Sequence, residues 1–232
     1  MIVKSFKSFI DKGKITYMCH KLGIKKFKVR QDGKVDVGGN VCIYGKKLKQ
    51  IPIKFGNVSG HFECQNNYLR NLENCPDFVG GDFECSGNYI ETLEFLPKRI
   101  NGGFFCKNNR LKSIDNLEKC NVGGDIYLRD NFLNSLKGSP RRVFGYFDVS
   151  GNHIESLEHC PESISGDLMI YDNLISNLSG FPKFVGGSID LSVNEIRDFR
   201  GIPEETNFDC AVLLTGNPVW EIVQLFEEEM VD

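Results

Sequence analysis

Three cysteines at equal spacing are the residues of this chain best suited to bind a metal ion. Cys64, Cys85 and Cys106 lie 21 residues apart, each three residues before an asparagine. On adjacent parallel strands, about 4.8 Å apart, they would form a column of thiols. Later copies of the same pattern have leucine, valine or isoleucine at this position, and cysteine packs well as a small apolar side chain. We therefore expect the cysteines to lie in a core, and we predict neither a metal site nor a cofactor.

A Cys-His pair is the second candidate for chemistry, because a histidine base can activate a thiol nucleophile. His159 and Cys160 are neighbours in the sequence, and His153 shortly precedes them. Neighbouring side chains do not ordinarily point at each other, however, and no third group is evident that would orient the histidine. The carboxylates are spread over the chain rather than paired, and the Gly-Gly pairs lack the Lys-Ser/Thr of a phosphate loop. The sequence therefore predicts a protein that is not an enzyme.

These residues belong to an internal repeat, and the repeat determines the architecture. The segments FECQNNYLRNL, FECSGNYIETL and FFCKNNRLKSI align on one polar position, which we call the anchor, and the alignment extends to nine copies. Successive anchors lie 21 residues apart, except for one step of 22 and a last step of 23 residues. The anchors are Lys46, Asn67, Asn88, Asn109, Asn131, Asn152, Asn173, Asn194 and Asn217.

Apolar residues occupy four positions of every copy, namely five and three residues before the anchor and two and five residues after it. All 36 of these positions are apolar, although apolar residues make up only 41% of the chain. The pattern predicts an α+β or mostly β protein, a solenoid of about nine coils. Each coil is expected to contribute a short strand to one parallel sheet.

Glycine and proline mark the rest of each coil. Glycine stands seven residues before the anchor in eight copies, and proline stands nine residues after it in six copies. The glycine indicates either a positive φ or a close approach of two backbones. Proline fixes φ and has no N–H, so it favours an extended return segment without a hydrogen-bonded ladder. The return half of each coil is therefore expected to be irregular.

The eight asparagine anchors predict a structural ladder. Stacked asparagines can satisfy backbone groups inside the turns and can hydrogen-bond to neighbouring coils. A buried backbone group left unpaired would cost about 1–3 kcal/mol.

The repeat resembles a known family. The fragment F-x-C-x-x-N-x-L-x-x-L is similar to the strand and asparagine turn of a leucine-rich repeat, and the 21-residue period with proline resembles the short bacterial type. The whole unit, V-x-G-x-F-x-C-x-x-N-x-L-x-x-L-x-x-x-P, resembles repeats of many bacteriophage-encoded proteins. The leader DGKVDVGGNV and the segment IPIKFGNVSG resemble the first part of those proteins. This resemblance covers residues 24–220 and implies a leucine-rich-repeat-like solenoid that serves as a binding scaffold.

The two ends of such a solenoid need caps. Residues 1–38 are predicted to form an N-terminal cap, a helix ended by Gly23 and then a β-hairpin over residues 27–37. The apolar face of that helix comprises Ile15, Met18, Cys19 and Leu22. Residues 39–217 are assigned to the solenoid, and residues 218–232 to a C-terminal helical cap with an acidic tail.

A protein-binding face is predicted from the alternation along each strand. Residues six, four and two positions before the anchor should point outward, and several of them are aromatic or acidic, as in a binding hot spot. The predicted binding residues on this concave face are Phe105, Tyr127, Tyr146, Met169, Tyr171, Asp148, Asp190 and Arg129. With the resemblance, they favour a non-catalytic phage protein that binds a host protein in the host cytoplasm, for host takeover or against host defence. The alternative is a face too tight for any ligand, with rings that shield one another.

Nucleic acid is the second predicted partner. The net charge of −3 conceals +11 in residues 1–55 and −14 in residues 56–232. Cations of the basic N-terminal region could contact phosphates; they are Lys21, Lys25, Lys26, Lys28, Arg30, Lys46, Lys47 and Lys49. A membrane is not expected as a partner, because no apolar run approaches the roughly 18 residues of a membrane span.

Overall fold

Nine two-residue strands, one in each copy of the repeat, form a parallel sheet that we call the front sheet. The computed structural model describes residues 2–202 and 211–220, with side chains from residue 11 onward. Neighbouring strands pair without a shift, so that Ile126 lies opposite Phe104 on one side and Phe147 on the other. The strands are Val41–Cys42, Phe62–Glu63, Phe83–Glu84, Phe104–Phe105, Ile126–Tyr127, Phe147–Asp148, Leu168–Met169, Ile189–Asp190 and Val212–Leu213. The prediction of a mostly β solenoid is confirmed.

A second set of strands lies in the return halves, where the sequence predicted no ladder, and that prediction is wrong. These back strands pair in parallel from coil to coil and continue a hairpin at the N-terminal end. Each of the five repeat prolines in the described ranges precedes its back strand and therefore removes no donor from it. Asp77 N–H, directly after Pro76, donates to the Gly56 carbonyl at 2.8 Å. The back strands are Val35–Val37, Phe55–Val58, Phe78–Val79, Arg99–Ile100, Asn121–Val122, Arg142–Val143, Ser163–Ile164 and Phe184–Val185.

The single 22-residue step interrupts the back strands but not the front sheet. The extra residue falls before Asn121, in a return that contains the 3-10 helix Leu117–Lys119. Asn121–Val122 pairs with Arg99–Ile100, and the next back strand, Arg142–Val143, begins a separate three-stranded sheet. The front strands on the two sides remain paired. An insertion in the return is therefore absorbed on the back of the coil.

The core lies between the two sets of strands and is filled by the four apolar positions of each coil together with the inward residues of the back strands. Phe55, Phe62, Phe83 and Phe104 form a continuous row of rings with centroids 5.1–5.8 Å apart. Of the described apolar positions, Phe199 is an exception, because it is exposed. Leu48 and Val212 are half-buried against the core, and all the others are buried.

The N-terminal end is covered as predicted. A helix spans Ile2–Lys21 and is followed by Gly23, whose φ is +78°. The strands Phe27–Val29 and Val35–Val37 then form an antiparallel hairpin. The four residues of the predicted helix face are buried or packed against the core.

At the other end, Val219 is buried and Trp220 packs on the core. The rest of the predicted C-terminal helix lies outside the described residues, as does Pro203. Within residues 2–202 and 211–220, no helix combines the length and the apolar character that crossing a bilayer requires.

The repeated glycine is explained by close approach of backbones rather than by a positive φ. Of the eight glycines, Gly39 has a positive φ, of +143°. At the others a Cβ would lie 3.1 Å or less from the preceding coil; at Gly166, for example, it would lie 2.9 Å from the carbonyl carbon of Gly145. These two glycines also hydrogen-bond to each other, with Gly166 N–H donating to the Gly145 carbonyl at 3.0 Å.

The asparagine ladder is present in every coil where it was predicted. Each asparagine Oδ1 accepts a hydrogen bond from a backbone N–H of the preceding coil at 2.9–3.0 Å. Each Nδ2 donates to the carbonyl three residues earlier in its own coil and to a carbonyl of the preceding coil, at 2.8–3.3 Å. Residues 2–40 contain no front strand, so an asparagine in place of Lys46 would have no preceding coil there to bond.

Candidate functional site

The cysteine column lies in the core, as predicted. Cys64, Cys85 and Cys106 are fully buried beneath the front sheet. Burial raises the pKa of the Cys64 and Cys85 thiols well above the ordinary value, so these thiols stay protonated at neutral pH. No cluster of His, Cys, Asp and Glu suited to a metal ion occurs in the part of the chain that the structure describes.

His159 and Cys160 sit at a turn in the return half of their coil. His159 is exposed and has a φ of +66°, a turn conformation that asparagine and glycine adopt at the same place in other coils. Burial raises the pKa of the Cys160 thiol far above its ordinary value. A thiol of this kind is a poor nucleophile, because the thiolate is the reactive form.

The front face, by which we mean the outward residues of the front sheet, brings the predicted binding residues together. Tyr146 and Arg129 are exposed there. A further five of the predicted residues are half-buried, namely Phe105, Tyr127, Met169, Tyr171 and Asp190. The core-facing neighbours of Tyr127 and Met169 on the same strands are buried, so the predicted alternation holds.

Asp148 is the exception, and the prediction that it is exposed is wrong. It is only 4% exposed. Its Oδ1 accepts hydrogen bonds from the Ser150 hydroxyl and from the Ser150 N–H, the latter at 3.1 Å. Asp190 accepts from Ser192 N–H at 3.0 Å and Glu84 from Ser86 N–H at 2.9 Å. An acid four residues before the anchor thus closes a local turn. At Asp148 the carboxylate is buried in this turn and is not exposed to a partner.

Other front-face carboxylates also have a structural role. Asp125 accepts a hydrogen bond from Tyr146 N–H at 2.9 Å, and Asp167 accepts from Ser188 N–H at 2.8 Å. Asn40 does the same with its amide oxygen, accepting from His61 N–H at 3.0 Å. The position six residues before the anchor therefore caps the next coil. An amide serves there as well as an acid.

The aromatic residues in the middle of the front face form two contacting sets, which together we call the aromatic group. Phe105 stacks on Tyr127, with ring centroids 5.2 Å apart and planes 11° apart. The Lys107 ammonium lies 5.8 Å from the Tyr127 centroid. On the other side, a guanidinium nitrogen of Arg129 donates to the Tyr171 hydroxyl at 3.0 Å. The residues of this group belong to three coils within a span of four.

Gly103 makes room for the Phe105 ring, a role that the sequence analysis missed. It occupies a position that holds an acid or another capping side chain in most coils. A Cβ there would lie 2.8 Å from two atoms of the Phe105 ring. The signal in the sequence is that glycine replaces the usual polar residue at position 103 in the coil that has an aromatic residue two positions later.

The front face is negative. Its outward positions hold seven carboxylates and, as cations, Lys107 and Arg129. The pKa of Tyr127 is raised, mainly by partial burial and then by the charges of Asp125 and Asp148. A phenol beside these carboxylates therefore stays neutral, and a positively charged partner is favoured over a negative one.

The residue just before the anchor has the same left-handed backbone conformation in every coil. The residue just before the anchor has a φ between +53° and +77° in all nine coils. It is Gly, Asn or Asp in eight coils and Val193 in the other. The enrichment in Gly and Asn was the available signal, since these residues tolerate the left-handed conformation.

Next to the anchors, a row of aromatic residues runs along one edge of the solenoid and was also missed. Tyr68 and Tyr89 stack with centroids 5.9 Å apart, and the Arg110 guanidinium lies 4.4 Å from the Tyr89 ring. Farther along, Phe132 stacks on His153 at 6.1 Å. The rings face one another along the row.

Comparison of the chain with protein-family models and with curated proteins finds no match.

Proposed function

We propose that this protein is a non-catalytic scaffold that binds another protein through its front face. The observation that carries the proposal is the aromatic group on the front sheet, in which Phe105 stacks on Tyr127 and Arg129 hydrogen-bonds to Tyr171. Tyrosine, phenylalanine and arginine are enriched at protein interfaces. Tyrosine and arginine also dominate their hot spots.

The chemistry of the face favours a partner segment that is both apolar and basic. Tyr146, 40% exposed, and the half-buried Met169 extend the apolar area beyond the stacked rings. Carboxylates surround this area, and complementary charge increases the rate and the specificity of association. The resemblance of the repeats to bacteriophage sequences supports a bacterial host protein as the partner and the host cytoplasm as the place of binding.

The test is a binding comparison between two matched variants. The full chain is immobilised, its partner is captured from bacterial lysate and purified, and dissociation constants are then measured for Tyr127→Ala with Met169→Ala. Each truncated hot spot contributes about 2 kcal/mol or more, which corresponds to about 30-fold weaker binding. The control is Phe144→Ala with Phe184→Ala, which removes two exposed apolar side chains from the opposite side.

The expected result is a large loss for the first variant and none for the control. Both variants should unfold within about 1 kcal/mol of the parent, as surface changes usually do. Ile126→Asp with Ile170→Asp should instead unfold the chain, because both residues are fully buried or nearly so. Equal binding by the parent and by the Tyr127–Met169 variant would place the binding surface elsewhere.

A further inference from the structure

The outward side of the back strands carries the opposite charge to the front face. We call this side the back face; it comprises the outward residues of the back strands and of the hairpin strand Phe27–Val29, together with the residues directly before and after the back strands. Its unpaired cations are all exposed: Lys28, Lys54, Lys98, Arg99, Arg142 and Lys183. None of them forms an ion pair within the described ranges.

Within the described ranges, the carboxylates of the back face are neutralised by other cations. Each is held in an ion pair with a nitrogen-to-oxygen distance of 2.6–2.9 Å. The pairs are Arg30 with Asp36, Lys34 with Asp77, and Arg141 with Glu162. The six unpaired cations are therefore a net positive charge that is free to attract an anion.

These cations recur on alternate coils. Lys54 belongs to the first coil, Lys98 and Arg99 to the third, Arg142 to the fifth and Lys183 to the seventh. With coils about 4.8 Å apart, the cations of the third, fifth and seventh coils form a line with a spacing of about 10 Å. Lys54 lies two residues before the position in its coil that corresponds to Lys98. A regular line of positive charge suits an extended polyanion better than a small ligand.

Two aromatic rings stand among these cations. Phe144 is 59% exposed and Phe184 is 53% exposed. Phe144 lies two residues after Arg142, and Phe184 directly follows Lys183. Cations that follow a backbone, together with aromatic rings on which bases can stack, are the features by which proteins bind single-stranded nucleic acids.

We propose that the back face binds single-stranded nucleic acid, with phosphates at the line of cations and bases on Phe144 and Phe184. This activity goes beyond the proposed protein binding and uses the opposite side of the molecule. The acidic front face does not prevent it, since the two sheets are about 10 Å apart. The Debye length is also about 10 Å at 0.1 M salt, so the front charges are largely screened.

The test measures fluorescence anisotropy of a labelled 20-nucleotide oligothymidine with the full chain, at salt concentrations from about 50 to 200 mM. We expect binding that weakens with salt and that is tighter than binding to a duplex of the same length. Phe144→Ala with Phe184→Ala should weaken binding at least about tenfold, since each stacked base contributes 1–3 kcal/mol. Phe144→Leu with Phe184→Leu keeps the apolar surface, and it should weaken binding as well.

The charge variant is Arg99→Gln with Arg142→Gln. It should reduce the slope of log K against log salt by about 1.4, since each phosphate contact to a single strand contributes about 0.7. The matched control is Lys107→Gln with Arg129→Gln, which removes the same charge from the front face. The control should leave the slope unchanged.

Three results would overturn the proposal. The first is equal binding of single strand and duplex together with no effect of the phenylalanine changes. The second is an equal loss in the front-face control. The third is no oligonucleotide binding at about 50 mM salt together with salt-sensitive self-association in sedimentation velocity, which would assign the back face to the acidic front face of a second copy.

Discussion

Removing two adjacent asparagines of the ladder should cost more than removing two separated ones. Asn109 Oδ1 is the acceptor for Ile90 N–H, at 3.0 Å. Its Nδ2 donates to Cys85 O, which Asn88 Nδ2 also reaches, at 3.1 and 3.0 Å. Asn109→Ala therefore leaves one buried N–H unpaired, at a cost of about 1–3 kcal/mol, while Cys85 O keeps one donor. Adding Asn88→Ala removes that second donor as well and leaves a further buried carbonyl unpaired.

The magnitudes follow from counting the groups left without a partner. The separated pair, Asn109→Ala with Asn152→Ala, leaves two N–H groups unpaired and should cost the sum of the single changes. The adjacent pair, Asn88→Ala with Asn109→Ala, should exceed its own sum by about 1–3 kcal/mol, the cost of the extra carbonyl. Such a coupling is well above the roughly 0.3–0.5 kcal/mol within which independent sites add.

The assay is urea unfolding of both double variants and of the three single variants, followed by circular dichroism. The slope of the free energy of unfolding against urea concentration must be the same in all five variants. A changed slope would mean that unfolding is no longer a single cooperative step, as can happen in long repeat arrays. Strict additivity of the adjacent pair would refute the shared-carbonyl argument. No shift for any single variant would show that the asparagines do not satisfy the turn groups.

Further predictions concern other repeated positions and can be measured by the same unfolding experiment. Gly166→Ala should cost about 1–3 kcal/mol, because the added Cβ meets backbone of the preceding coil in a tightly packed place. Val193→Asn should stabilise the protein by about 1 kcal/mol, because its φ of +54° is unfavourable for valine. Burial raises the pKa of the Cys85 thiol, so this thiol should not change the free energy of unfolding below about pH 8.5. Above that pH the free energy of unfolding should fall by about 1.4 kcal/mol per pH unit for each such thiol. Cys85→Val should reduce that slope. Asp125→Asn with Asp167→Asn should keep the caps and leave stability unchanged, but should weaken capture of a basic partner.

The solenoid could be predicted from the sequence because its determinants repeat in each coil. Four apolar positions, one asparagine and one glycine recur with a nearly constant period, and each has a local physical reason. The core positions and the ladder followed directly from them. The helix and hairpin at the N-terminal end were predictable as well, since Gly23 and the turn at Asp32-Gly33 are strong local signals.

The same reasoning does not predict the back strands, because it extends the effect of proline to the whole return segment. Proline removes a donor only at its own position, and the strand Phe78–Val79 begins two residues after Pro76. Stacking of coils then brings two extended segments to hydrogen-bonding distance, whatever the propensity of their residues to form β-strands. The burial of Asp148 could not be predicted either, since it depends on the hydrogen bonds with Ser150 and not on the alternation of the strand.

The charge pattern shows why a linear count of residues was a poor guide to the surface. The sequence placed the positive charge in residues 1–55 and the negative charge in the rest. In the solenoid, coils later in the chain contribute Arg99, Arg142 and Lys183 to the back face and carboxylates to the front face. Because one coil passes through both faces within 21 residues, charges adjacent in sequence are separated in space by the width of the core.

This geometry also separates what the front-face acids do for the fold from what they do for binding. Capping of the next coil explains an acid or an amide six residues before the anchor, since Asn40 and Asp125 make the same bond. It therefore explains why that position is polar, but it does not require a charge there. Capping explains none of the aromatic positions, and at Gly103 the cap is absent where the Phe105 ring needs the space. The caps therefore give no structural reason for the aromatic group. For that reason we base the proposed protein binding on this group.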